Sequence, residues 1–302
     1  MKQVIVIGAS AAGMSAAIYL KRANIDFELI AKDIGGEMLT SGIIENYPGI
    51  ISTNGFELTE KFRQHLDYYN ISPKIDEEVI KIEKKEEFLV YTQNQVYHSQ
   101  AIIIATGTTP KKLNVPGENE LKNKGVSYCT VCDGPLFKDK IVAVIGGGNS
   151  ANEAGILLSS IAKKVYVITK NEKMKGEEIL IKTLLSKNNV ELITLALTQK
   201  IIGNNKVEGL VYLSQKDNQL YELKVDGVFI HIGMIPNTYF IPKELNILDD
   251  YGYIKVDKLM QTKIPGCFAA GDVTDIPHKQ IGIAVGQGIT AALSAINYLR
   301  YI

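Results

Sequence analysis

The residues best equipped for chemistry stand in one short run, Cys129-Thr-Val-Cys132, followed by Asp133 and Gly134. Two thiols separated by two residues can divide the labour of disulfide exchange: one thiolate attacks and the other resolves. Asp133, directly after the pair, is placed to protonate a leaving thiolate. A zinc site would need four ligands, from a second such pair or a nearby pair of histidines. The third cysteine, Cys267, and the four histidines at 65, 98, 231 and 278 do not supply that spacing, so no metal site is expected. Two thiols sitting idle in a turn is the plain alternative, and redox exchange accounts for the arrangement better.

A reactive pair needs a frame and a source of electrons, and two near-copies in the sequence point to both. Residues 3–20 read QVIVIGASAAGMSAAIYL and residues 140–158 read KIVAVIGGGNSANEAGILL. Each is a β-branched apolar run, a glycine turn, then small residues at helical spacing, the opening of a dinucleotide-binding βαβ unit. A second apolar strand follows each, Phe27 to Ala31 and Lys164 to Thr169. The glycines let the backbone approach a pyrophosphate, and the helix N-terminus offers it free N–H groups and positive dipole. One such fingerprint is weak; two in the right context predict two nucleotide-binding folds. The first has Gly8, Ser10 and Gly13, with a serine at the position of closest approach. Its expected ribose-binding acid is missing, since Ala31 and Lys32 occupy that strand end and Asp33 comes just after. The second has Gly146, Gly148 and Ala151 in full register.

A chain of 302 residues is long enough for two domains, each with its own core. Lys plus Arg number 33 and Asp plus Glu number 33, which argues against a nucleic-acid surface. At 46% hydrophobic and 22% charged the chain is too apolar for disorder. The longest apolar runs (Val4 to Ile7, Ala101 to Ala105, Ile141 to Ile145) fall far short of about 18 residues, so no membrane span is expected. With three cysteines and no signal-peptide pattern, a cytoplasmic location is expected. Two loop-like stretches, 111–125, rich in Lys, Asn, Pro and Gly, and 235–246, with two prolines, read as domain boundaries. The expected fold is α/β with two Rossmann-like domains. Residues 1–114 and 244–302 form one, discontinuous in sequence, and residues 115–243 are inserted in it and carry the cysteines. The last section contains GCFAAGDV (266–273) and an amphipathic helix from about Ile281 to Tyr298. Cys267 reads as a small core residue, His65 as surface or packing, and the EKKEE run (83–87) as a solvated turn.

The ordered motifs GASAAG (8–13), GGEML (35–39), IENYPG (44–49), IIIATGT (102–108), VPGE (115–118), GVSYCTVCDG (125–134), GGGNSANEA (146–154), GMIPNT (233–238) and FAAGDV (268–273) resemble the low-molecular-weight, bacterial-type thioredoxin reductases over nearly the whole chain. The resemblance implies a non-covalent FAD in the first domain. Gly8, Ser10, Ala11, Ala12 and Gly13 would serve its pyrophosphate, and Gly36, Glu37 and Asn46 would line the flavin. Thr106 and Gly107 would pass beside it, Gly271 and Asp272 would bind the ribityl or phosphate region, and Lys279, Gln280 and Ile281 would aim a helix N-terminus at the ring. Glu37 stands where the family usually has Gln; if ionised, it should make the flavin harder to reduce. The resemblance further implies that reduced flavin reduces a Cys129–Cys132 disulfide, and that Cys132 lies nearer the flavin while Cys129 attacks thioredoxin. The two domains would rotate between those steps, and the protein would be a homodimer.

The electron donor stays open. NADPH-using members read the 2′-phosphate with an HRRxxxR cluster, and the aligned stretch here is Thr169-Lys170-Asn171-Glu172-Lys173-Met174-Lys175. Lysine is a point charge where arginine is a bidentate fork. Only Glu153 remains of a commonly paired acidic position. In one reading Gly146, Gly148, Asn149, Ser150, Ala151, Lys170 and Lys175 still seat NADPH. In the other, slightly favoured by the lost arginines, they are a vestigial seat and reduced ferredoxin is the donor, as in the ferredoxin-dependent flavin thioredoxin reductases. NADH is weakened by the lack of an acid at 169–171. Two rivals to reductase function are an oxidase- or peroxide-type flavin enzyme and a flavin-binding redox sensor.

Overall fold

In the computed structural model, which describes residues 1–301, the chain divides into two compact units, Met1–Thr109 with Ile235–Ile302, and Pro110–Met234. The divisions fall at 109/110 and 234/235 rather than at 114/115 and 243/244. Packing explains the shift. Leu113 rests on the core of the second unit, whereas Phe240 and Ile241 are buried with Ile5 and Ile7 in the first.

The first unit is built on β1 (Lys2–Ala9), α1 (Ala11–Arg22), β2 (Phe27–Ile34), α2 (Gly36–Leu39), α3 (Gly55–Tyr68), β3 (Val79–Lys84), β4 (Phe88–Thr92) and β5 (Val96–Ile104). The sheet order is β2-β1-β5-β4-β3, and the late strand Cys267–Ala269 pairs in parallel with β5. β1 is parallel to both neighbours. Its residues alternate between two cores, Val4 and Val6 in one and Ile5 and Ile7 in the other. A strand covered on both faces must be apolar throughout, which is why the run VIVI carries no polar residue.

The helix Ile281–Leu299 is long and apolar enough, by length and composition, to cross a membrane. Its Ala284, Ala291, Ala292 and Ala295 instead pack in the core shared with α1. The small side chains allow close approach: a methyl on Gly288 would run into the backbone of Ala12. Cys267 is buried, and burial pushes its thiol up to about 12, so it packs as an inert hydrophobe.

The second unit contains β6 (Val126–Ser127), α4 (Thr130–Asp133), β7 (Ile141–Ile145), α5 (Asn149–Ser159), β8 (Lys164–Ile168), β9 (Val190–Ile193) and β10 (Gly227–Ile230). These strands make a five-stranded parallel sheet in the order β9-β8-β7-β10-β6. A three-stranded antiparallel sheet (Ala196–Gly203, Val207–Ser214, Gln219–Leu223) completes the unit. β6 lies at the edge next to β10, so the cysteine run leaves the sheet at a defined place.

Candidate active site

Two constellations emerge, one in each unit. In the first, Gly8 has φ +111°, and a methyl there would strike the carbonyl of Ala105. Only glycine fits this turn. Ser10 is the N-cap of α1 but does not cap it; its hydroxyl donates to the Gly35 carbonyl at 2.6 Å. The serine therefore closes the first glycine turn onto the loop before Gly36 and Glu37. The first turn of α1, Ala11, Ala12 and Gly13, is buried with no side-chain cap and no acid. Buried N–H donors without a capping side chain are what an anionic pyrophosphate satisfies.

Other residues expected around a flavin are brought to the same unit. Asn46 Nδ2 donates to Gln280 Oε1 at 3.0 Å, and Gln280 is the N-cap of the helix Ile281–Leu299, again without a side-chain cap or a first-turn acid. Gly271 N–H donates to buried Gln287 Oε1 at 2.7 Å. Burial raises the carboxyl pKa of Asp272; neighbouring Glu37 adds to this, and Lys279 opposes it. Lys279 is itself pulled down by burial and donates to the Thr274 carbonyl at 2.6 Å. Thr106 Oγ1 donates to the Asn237 carbonyl at 2.8 Å, Asn237 Nδ2 returns a bond to the Thr106 carbonyl at 2.9 Å, and Asn237 N–H donates to the Gly107 carbonyl at 3.0 Å. Asn237 was not singled out in the sequence; the only signal was its place in the GMIPNT motif.

In the second unit Cys129 and Cys132 are joined as a disulfide. Cys129 is the N-cap of α4, and its Sγ accepts the Cys132 N–H at 3.2 Å. Both cysteines are half-buried beside exposed Val131 and Leu136. Asp133 N–H donates to the Cys129 carbonyl at 3.1 Å. Burial raises the Asp133 carboxyl pKa, and a hydrogen bond from Ser127 opposes it.

His231 was missed, because it lies 101 residues from its partner: its Nε2 is 2.6 Å from Thr130 Oγ1. Burial drives this imidazole down to about 4, so it is neutral at physiological pH. The His231 backbone N–H donates to the Ile145 carbonyl at 2.7 Å, and the His231 carbonyl is what a side chain at Gly146 (φ +155°) would strike. His231→Phe should leave the buried Thr130 hydroxyl unpaired and cost about 1–3 kcal/mol of stability. Adding Thr130→Val should recover much of that loss in urea unfolding; equal, additive losses would mean the pair is not coupled.

The second glycine turn keeps its form. Gly148 is the N-cap of α5, with nothing within 4 Å of an added methyl. Ala151 is buried and Ser150 exposed. Asn149 Oδ1 accepts the Glu177 N–H at 2.8 Å, and Gly147 O accepts the Lys175 N–H at 2.6 Å. Lys170 and Lys175 are exposed, while the Asn171 amide bonds Thr169 Oγ1 at 3.3 Å.

The family model for pyridine nucleotide-disulphide oxidoreductases matches residues 2–292. A Bacillus subtilis (strain 168) protein named NADH dehydrogenase is 41% identical over 98% of this chain and 58% of its own length. A Staphylococcus aureus (strain MRSA252) protein named as part of an alkyl hydroperoxide reductase is 40% identical over 98% of this chain and 59% of its own. The chain thus spans under two thirds of these curated relatives. Thioredoxin reductase from Streptococcus pyogenes MGAS5005 has 37% identity and a TM-score of 0.94, covering 100% of this chain and 99% of that one. A ferredoxin-flavin thioredoxin reductase from Clostridium acetobutylicum has 35% identity and a TM-score of 0.54, covering 99% and 98%. The chain belongs to the pyridine nucleotide-disulphide oxidoreductase family of flavin-dependent enzymes, in the low-molecular-weight thioredoxin reductase class.

Proposed function

We propose that the protein is an FAD-dependent reductase of protein disulfides, with oxidised thioredoxin as its acceptor in the cytoplasm. The observation that carries this reading is the half-exposed Cys129–Cys132 disulfide followed at once by Asp133, whose backbone N–H is bonded to the Cys129 carbonyl. Gly8 and Ala11 to Gly13 would hold the pyrophosphate, with Glu37, Asn46, Asp272 and Gln280 around the remainder of the FAD. When bound, FAD supplies the two electrons that open the disulfide.

The chain's own residues then run the exchange. In the reduced pair Cys129 is the better thiolate, because its Sγ already accepts the Cys132 N–H. The Cys129 thiolate attacks one sulfur of the partner disulfide and forms a mixed disulfide; the released partner thiolate takes the proton of Asp133. The Asp133 carboxylate next takes the Cys132 thiol proton. Cys132 attacks Cys129 Sγ, the bond from Cys129 to the partner breaks, and the second partner thiolate is protonated through Asp133. The partner gains two electrons and two protons, and the Cys129–Cys132 bond is restored.

For the donor, reduced ferredoxin is the reading supported by the loop at 170–175. It offers three exposed lysines, Lys170, Lys173 and Lys175, and no arginine to a 2′-phosphate, and the amide of Asn171 is engaged with Thr169. The likeness to a ferredoxin-flavin enzyme points the same way. NADPH is the second reading, favoured by the intact turn and the open space at Gly148. The test is anaerobic reduction of the holoenzyme with NADPH, NADH or photoreduced ferredoxin, with oxidised thioredoxin present. Flavin bleaching near 450 nm and thioredoxin turnover with ferredoxin alone are expected. Rapid turnover with NADPH overturns the ferredoxin assignment, and a protein that turns over thioredoxin with no donor is not a thioredoxin reductase.

A further inference from the structure

We propose that Ser127 is the positioning residue of the proton-transfer step: its hydroxyl holds one oxygen of Asp133 so that the other oxygen carries the proton exchanged at the cysteine pair. The inference rests on the acid–base reading of Asp133 given above. Ser127 is the last residue of β6, fixed by parallel pairing with Phe229 of β10, and it is buried. Its Oγ accepts the Cys129 N–H at 3.0 Å, which leaves one proton to donate. Two acceptors lie within reach, Asp133 Oδ2 at 2.6 Å and the Cys129 carbonyl at 3.3 Å. The shorter contact has the length of a charge-assisted O–H···O⁻ bond, so the carboxylate is the principal acceptor.

This makes the two carboxyl oxygens unequal. Oδ2 is engaged, whereas Oδ1 has no hydrogen-bond partner among the described residues. The Asp133 N–H is bound to the Cys129 carbonyl, so backbone and side chain of the aspartate are both registered to the first cysteine. One small hydroxyl therefore links the Cys129 peptide to the acid. Its chemical effect follows from the direction of the bond. A donor on Oδ2 stabilises the carboxylate, while burial stabilises the acid. The opposition keeps the proton transferable; without the hydroxyl, Asp133 would hold its proton to higher pH.

The experiment follows the pH dependence of the exchange step in pre-reduced holoenzyme mixed with oxidised thioredoxin in a single turnover. Ser127→Ala and Ser127→Val should move the ionisation assigned to Asp133 upward by about one pH unit, the size expected for loss of a hydrogen bond to a charged group. Ser127→Thr, isosteric with Val but with a hydroxyl, should restore the wild-type profile. In an Asp133→Asn background that ionisation should be absent and Ser127→Ala should shift nothing. Superimposable profiles for Ser127→Val and Ser127→Thr overturn the proposal, as does a Ser127→Ala shift that persists with Asn at 133. An unchanged profile in Asp133→Asn alone is a separate failure, of the acid–base reading itself.

Discussion

Cys132→Ser should stall the reaction at a covalent adduct with thioredoxin, whereas Cys129→Ser should form none, and both should lose turnover by on the order of 10³-fold or more. The asymmetry has a structural origin. Cys129 caps α4 and its sulfur accepts the Cys132 N–H. A thiolate at Cys129 is therefore solvated by the turn it begins, while a thiolate at Cys132 has no such donor from this contact. In Cys132→Ser the attacking sulfur remains and the resolving one is gone, so the mixed disulfide persists. In Cys129→Ser the resolving sulfur remains with nothing to resolve. The double variant should be no worse than either single one, because the two sulfurs act as a unit. Mass spectrometry of the adduct under non-reducing conditions reads the result. An adduct through Cys132 in the Cys129→Ser protein would reverse the assignment. Undiminished turnover in both variants would remove the pair from the reaction and favour an oxidase-type enzyme.

How much of this was legible in the sequence depends on how far apart the partners are. Cys129, Cys132 and Asp133 are consecutive enough that one turn must hold them together, and the two glycine turns announce themselves through local spacing. Long-range hydrogen bonds leave no such trace. Asn46 and Gln280 are 234 positions apart, and His231 meets Thr130 across 101; neither partner has a spacing that predicts the other. Ser10 was expected as a small residue tolerated near a phosphate, and its hydroxyl instead ties down Gly35. The domain boundaries were misplaced for a related reason. Prolines and glycines mark where chain can leave a fold, but Leu113 and Phe240 decide which core claims the flanking residues. The helix Ile281–Leu299 was expected from its amphipathic pattern, and alanines over α1 give it the core face that a run of apolar residues cannot reveal.

Gly13→Ala should strip the protein of flavin and lower its melting temperature by several degrees, whereas Gly148→Ala should leave stability within about 0.5 kcal/mol. The two glycines belong to corresponding turns, so composition alone would rank them together. Geometry separates them. A methyl on Gly13 would overlap the carbonyl of Gly8 and approach Ala105 Cβ at 3.5 Å. Neither neighbour can yield: Gly8 is held at φ +111° against the Ala105 carbonyl, and Ala105 N–H is bonded to the Ile7 carbonyl at 2.8 Å. Relief must come from displacing α1 relative to β1, which moves the N–H groups of Ala11 and Ala12 away from a pyrophosphate. Gly148 has an ordinary extended φ of −112° and no atom within 4 Å of an added methyl. The second turn already carries an alanine, Ala151, at the position equivalent to Gly13, which shows that its helix stands far enough off to accept one. The ratio of flavin to protein absorbance in purified variants, with thermal unfolding alongside, measures both effects. A Gly13→Ala protein with full flavin and unchanged melting would mean that the first turn is not the cradle. Equal damage from Gly148→Ala would mean that close packing, and not access for a pyrophosphate, fixes glycine at 148.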